Sequence, residues 1–137
     1  MALICDTGVL YAVVDEHDAN HEACAALIVD PPEELAVPAP VVVELEWLVC
    51  SRMGYDQFDG FLQSVEIGAL DIIDLSRSDY ARSRELCRRY EDLPLGFVDA
   101  SIVALAERLG ESRLATLDRR HFSVVRPRHT AAFTLVP

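Results

Sequence analysis

Four carboxylates of this 137-residue chain stand where a charged group is costly, and they are its main chemical signal. Asp6 closes the apolar run of residues 2–5, Ala-Leu-Ile-Cys. Glu44 lies inside Pro-Val-Val-Val-Glu-Leu-Glu-Trp-Leu-Val; on a helix, Val41 at i−3 and Leu48 at i+4 share its face, which predicts a buried acid. Asp99 opens the most apolar helical segment of the chain, and Asp118 follows Leu-Ala-Thr-Leu at a strand end. Thr116 stands two residues before Asp118, on the same side of that strand, and can donate its hydroxyl. Taken singly, each acid reads as a turn, cap or helix-dipole residue. Taken together, three acids at strand ends or helix starts converge on one rim, and the fourth points there from an apolar helix. Carboxylates that close repel and raise one another's pKa, and a hard divalent cation resolves the conflict. Oxygen ligands favour Mg²⁺ or Mn²⁺ over zinc. His17 and His21, an i,i+4 pair without the glutamate of HExxH, are expected at the surface.

An all-acid cation site suggests phosphate chemistry, because the cation acidifies water and neutralises charge building on phosphoryl oxygens. Arginines near the rim suit a polyanion. Arg119 and Arg120 follow Asp118 directly, and Arg88 and Arg89 end a helical segment that also carries Arg82 and Arg84.

Composition narrows the partners. The chain holds 12 basic and 23 acidic side chains, a net charge of −11, which excludes a simple basic coat for long duplex DNA. The charge is uneven: residues 1–75 carry 15 acids against Arg52 alone, whereas residues 76–137 carry 8 acids and 11 arginines. There is no lysine, which removes several lysine-dependent chemistries. Cysteines at 5, 24, 50 and 87 match no compact zinc or redox spacing. Without a signal peptide ahead of them, reduced thiols in a cytoplasmic protein are expected. No apolar run is long enough to span a bilayer.

The elements that must position these residues follow from patterning. Strands are expected at 2–5, 35–37, 69–75 and 113–117, with further edge strands at 124–125 and 133–136. Helices are expected at 7–14, 19–29 behind an Asp18 cap and stopped by Pro31 and Pro32, 40–52, 55–65, from Ser76 or Ser78 to Tyr90, and 98–109 closed by Gly110. That order makes residues 1–137 one α/β domain, a central, mostly parallel sheet flanked by helices.

These residues resemble the motifs of the PIN-domain ribonucleases, the VapC toxins of bacterial type II toxin–antitoxin pairs above all. Asp6-Thr7-Gly8-Val9-Leu10 is similar to the opening D-[ST]-[SN]-x-[LI] segment of that family. Val43-Glu44-Leu45 matches its helical glutamate, and Leu95 through Ile102 resembles its central aspartate segment. Ala115 through Phe122 is close to its A-T-x-D-x-x-F ending. The four motifs occur in family order over nearly the whole chain. Gly8 departs from the usual Ser or Asn and removes a side-chain contact from the site.

The resemblance implies a PIN-like fold and a Mg²⁺-dependent endoribonuclease, with Mn²⁺ able to substitute. It implies that Asp6 and Asp99 ligate the principal metal, that Glu44 and Asp118 complete the cluster, and that Thr116 orients a carboxylate or water. Arg88, Arg89, Arg119 and Arg120 become candidate RNA contacts. The implied partners are an RNA substrate, a cognate VapB-like antitoxin in the active-site groove and a second copy of the chain, with Trp47, Leu48, Phe58 and Phe61 as a candidate dimer patch. Three other classes compete. One is a catalytically weak PIN-like module that binds RNA or a partner. Another is an Asp6-nucleophile phosphatase, disfavoured by the missing lysine. The last is a DNA-directed nuclease.

Overall fold

The computed structural model describes residues 1–31 and 33–137. Five strands, β1 (Ala2–Cys5), β2 (Glu34–Pro38), β3 (Asp71–Ile73), β4 (Arg113–Ala115) and β5 (Thr134–Val136), form one sheet in the order β3-β2-β1-β4-β5. Every neighbouring pair is parallel; Ile4 of β1 lies between Ala36 of β2 and Leu114 of β4. Leu3, Ile4 and Cys5 are wholly buried, the continuous apolar run of a strand covered on both faces.

Among the described residues, seven helices connect the strands: α1 (Thr7–Val14), α2 (His21–Ile28), α3 (Ala39–Arg52), α4 (Tyr55–Glu66), α5 (Arg77–Arg89), α6 (Phe97–Leu109) and the single turn α7 (Arg119–Phe122). From β1 the chain winds outward to β2 and β3, then crosses back through α5 and α6 to β4 on the other side of β1. Strand order therefore reverses between β1 and β4. Such a switch point opens a crevice beyond the carboxyl ends of the strands, where α/β sheets bind ligands.

The helix carrying Asp99 is the best anchored. Residues 100–106 of α6 are all buried, so it is buried all round rather than along one stripe. Gly110 ends it at φ 70°, a left-handed conformation suited to glycine. Two ion pairs clamp it to α5: Arg108 Nε to Asp79 Oδ2 and Arg82 Nη2 to Glu107 Oε1, each 2.9 Å. Asp79 is also the N3 residue of a capping box with Ser76, which settles where α5 starts.

The expected order of elements is present, with local corrections. Asp18 does not cap α2; its Oδ1 accepts from the Asn20 backbone N–H in the preceding turn, and α2 begins at His21. Of the two prolines expected to stop that helix, Pro32 lies outside the described residues. The strand expected over residues 69–75 shrinks to Asp71–Ile73; it ends at Ile73 because its neighbour β2 runs out at Pro38, just before α3. Residues 124–125 form no strand. The turn of α7 intervenes, Val125 N–H bonds to the His121 carbonyl, and the Val125 side chain fills the core instead. All four cysteines are free, Cys5 and Cys24 buried. Among the described residues, no helix is long and apolar enough to cross a membrane.

Candidate metal centre

The crevice at the switch point is a cleft of about 590 Å³ lined by Asp6, Gly8, Glu44, Gly96, Phe97, Val98, Asp99, Leu117 and Asp118. All four sequence-predicted carboxylates line it, each from a different element. Asp6 follows β1, Glu44 comes from α3, Asp99 from the first turn of α6, and Asp118 from the end of the β4 segment.

Asp6 is 8% exposed and doubly bonded. As the N-cap of α1 it accepts from Thr7 N–H through Oδ1 at 2.7 Å, and Oδ2 accepts from the Thr116 hydroxyl at 2.8 Å. Thr116 Oγ1 in turn accepts from the Asp118 backbone N–H at 3.0 Å, so one hydroxyl ties two of the acids together. Burial pushes the Asp6 carboxyl above the ordinary range; its bonds to Thr116 and Thr7 oppose the rise, and Glu44 and Asp118 add to it. Asp99 is half-buried and makes no ion pair among the described residues. Burial first, then the charges of Asp6 and Asp118, push its carboxyl up to about 7.

Glu44 corrects an expectation. It is exposed, because α3 buries Val41, Leu45 and Val49, and the inward stripe passes one residue beside it. Its i−3 neighbour Val41 is buried and its i+4 neighbour Leu48 half-buried, yet Glu44 itself falls outside the buried stripe, since α3 is apolar on more than one side. Glu44 still reaches the cleft, from its solvent edge.

One residue of the site was missed. His121, on α7, contacts Asp118 Oδ2 through Nδ1 at 2.5 Å and the Leu93 carbonyl through Nε2 at 3.2 Å. The signal was present as Asp118 and His121 at i,i+3, which face one another once a helical turn forms. Asp99, Asp118 and His121 each offer a ligand atom, and these atoms lie within 4.8 Å of one another.

The arginines are not drawn into the cleft. Arg88, Arg89, Arg119 and Arg120 are exposed, and none lines it. Arg89 stacks on the Tyr90 ring at 5.6 Å, and Arg119 donates to the Pro137 carbonyl at 2.7 Å. Of the candidate dimer patch, Phe58 and Phe61 are core residues stacked on each other, and Leu48 is half-buried; Trp47 alone is well exposed, at 68%. It borders a second, apolar groove of about 930 Å³ with Val43, Tyr80 and Phe97, and this groove shares Glu44, Phe97 and Val98 with the acidic cleft.

Comparison with known proteins agrees with this architecture. The sequence pattern of the PIN domain matches residues 3–126. Ribonuclease VapC26 of Mycobacterium tuberculosis is 33% identical over 135 residues, 98% of this chain and 100% of that protein. Among solved structures, VapC20 of Mycobacterium tuberculosis, described as a sarcin-ricin loop cleaving toxin, superposes with a TM-score of 0.82 at 18% identity, covering 94% of this chain and 98% of that one. VapBC2 from Rickettsia felis, solved with a DNA fragment from its promoter, gives 0.71 at 19% identity over the full length of both chains.

Proposed function

The chain belongs to the PIN-domain family, alongside VapC toxins, and on that premise we propose that it is a Mg²⁺-dependent endoribonuclease, the toxin of a type II toxin–antitoxin pair. The observation that carries this reading is the meeting of Asp6, Glu44, Asp99 and Asp118 in one cleft at the switch point of the sheet.

The donor set fits a divalent cation. It offers carboxylate oxygens to a hard ion, and four carboxylates meet in one cleft. Asp6 and Asp99 would hold Mg²⁺, or Mn²⁺ in its place, with Glu44 and Asp118 completing the cluster. Bound there, the cation supplies an acidified water and charge neutralisation at the scissile phosphate. The chain's own part is positional. Thr116 fixes the Asp6 carboxylate and the Asp118 backbone, and the clamped α6 holds Asp99 against them. Gly96 and Phe97 line the cleft on the α6 side, and the exposed Arg88, Arg89, Arg119 and Arg120 would be the phosphate contacts of an RNA strand outside it.

The apolar groove beside the cleft supports an antitoxin partner. Val43, Trp47, Tyr80 and Phe97 leave apolar surface in water, and Glu44 joins it to the acids. A second copy of the chain is the other proposed partner. A toxin–antitoxin complex from Klebsiella pneumoniae has the fold of this chain, which supports an assembly with partners.

RNA cleavage in Mg²⁺, its loss in EDTA and its loss in Asp99→Asn test the reading together. Gly8 favours one alternative, a catalytically weak binding module, because no side chain at that position reaches the cleft. Mg²⁺ binding without cleavage of any RNA would select it.

A further inference from the structure

We propose that the apolar groove beside the cleft is a nucleobase subsite. The base next to the scissile phosphate stacks on Phe97 and Tyr80 and is read by Asp74, which favours bases with an exocyclic amino group over uracil. This deepens the function proposed above and rests on it.

The groove continues the cleft. Glu44, Phe97 and Val98 line both, so a strand with its phosphate at the carboxylates has a neighbouring base at the groove. Phe97 and Tyr80 lie nearly parallel there, ring planes 17° apart and centroids 5.9 Å apart, and both remain exposed. Trp47 adds a third exposed ring from α3. Single-stranded RNA is recognised by unstacked bases on such rings. Charge selects the same part of the nucleotide. None of the side chains that line the two cavities is basic, and Glu44 and Asp74 are the acids of the groove. These walls repel a phosphate and accept a base.

Asp74 supplies the reading. Among the described residues its carboxylate makes no hydrogen bond, whereas its backbone carbonyl accepts from Arg108 Nη2 at 3.0 Å. The same guanidinium pairs with Asp79, the residue before Tyr80, so one side chain fixes both the reader and the stacking ring. A carboxylate only accepts. Adenine, cytosine and guanine offer it an amino group; uracil offers one N–H between two carbonyl oxygens, which the carboxylate repels. A protein segment in the groove expels the base, so the antitoxin proposed above and the base exclude one another.

Trp47 is the single tryptophan of the chain, so its fluorescence reports on the groove. We expect octaadenylate and octacytidylate, titrated into the full chain, to quench it at concentrations about tenfold below octauridylate. Tyr80→Ala should weaken all three by about tenfold and Tyr80→Phe should not. Asp74→Ala should bring the first two to the level of octauridylate. Octamers bound, by anisotropy of an end label, with Trp47 unquenched or with equal affinities overturn the proposal and leave the ribonuclease standing. A groove that holds a second copy also overturns it, and light scattering shows that as a dimer lost in Trp47→Ala. No octamer bound and no RNA cleaved removes the function on which the subsite rests. The wild-type titration decides even where a variant does not fold.

Discussion

Thr116 and Asp6, 110 residues apart in sequence, are joined by a hydroxyl-to-carboxylate bond of 2.8 Å in the buried floor of the cleft. Both are nearly out of water, at 1% and 8% exposure. The bond spans β1 and β4, the two strands between which the sheet reverses, so the carboxylate is fixed where the crevice opens. The same oxygen of Thr116 accepts from Asp118 N–H, and its two roles are complementary because a hydroxyl donates once and accepts as well.

Thr116→Val should therefore do more harm than its shape suggests. It leaves Asp6 Oδ2 and the Asp118 N–H without their partner in a dry place, at a cost of about 1–3 kcal/mol. Thr116→Ser retains both bonds. Urea melts should show the loss in valine alone, and Mg²⁺ titration should show weaker binding in valine alone. Indistinguishable variants would mean that the hydroxyl does not position Asp6.

Metal-free stability should fall as pH rises. The folded Asp99 carboxyl sits at about 7 against an ordinary 3.8, so between those values the folded chain binds a proton that the unfolded chain has released. Stability is then highest below about pH 4, declines through about pH 7 and levels off above it. Asp6, also raised, adds a slope of the same sign. In EDTA, Asp99→Asn should flatten much of the decline and exceed the wild type at pH 8 by about 0.5–2 kcal/mol. Added Mg²⁺ should restore stability in the wild type far more than in the variant. Equal pH slopes in the two proteins would remove Asp99 from the strained cluster.

Gly8 is replaceable. A Cβ there meets only Leu117 Cβ and Cδ1, both at 3.9 Å, an ordinary contact, and Gly8 is not among the glycines with positive φ. Gly8→Ala should stabilise α1 by about 0.4–1 kcal/mol through the unfolded chain. Gly8→Ser places a hydroxyl on the cleft wall and should cleave RNA faster than Gly8→Ala. A destabilised alanine variant, measured by thermal melting, would show that the position is tighter than the geometry gives.

The carboxylates were legible in the sequence because acids that interrupt apolar runs are conspicuous, and Asp6, Asp99 and Asp118 fall where strand ends and a helix start must lie. Glu44 was legible as a site residue but not in its burial. The apolar face of α3 beside it splits between the core, at Val41 and Leu45, and the exposed groove, at Val43 and Trp47, and periodicity cannot tell a core stripe from a docking stripe. His121 was hidden for another reason: a single helical turn has too few residues to carry a period, so the i,i+3 spacing from Asp118 was its one signal. The Val124–Val125 pair read as a strand from its composition, whereas the preceding turn of α7 turned Val125 into the core.

Antitoxin binding and cation binding should compete, because Glu44 belongs to both surfaces. It lines the acidic cleft and the apolar groove of Trp47, Tyr80 and Phe97. A segment with an apolar anchor in the groove therefore has a carboxylate at the boundary and three more beyond it. The complementary side chain is an arginine, whose planar fork binds carboxylates bidentately. An acid on the same segment would suit the exposed Arg120, two residues beyond Asp118. An arginine in the cleft takes the place of the cation, so each should weaken the other by the same factor. Glu44→Ala and Asp118→Ala should lower antitoxin affinity as well as activity, while excess Mg²⁺ should loosen the wild-type complex. Calorimetry in MgCl₂ against NaCl of matched ionic strength checks this, because general screening is equal in the two. Identical affinities would leave an inhibitor that covers the cleft without entering it, and the two alanine variants would then keep their affinity.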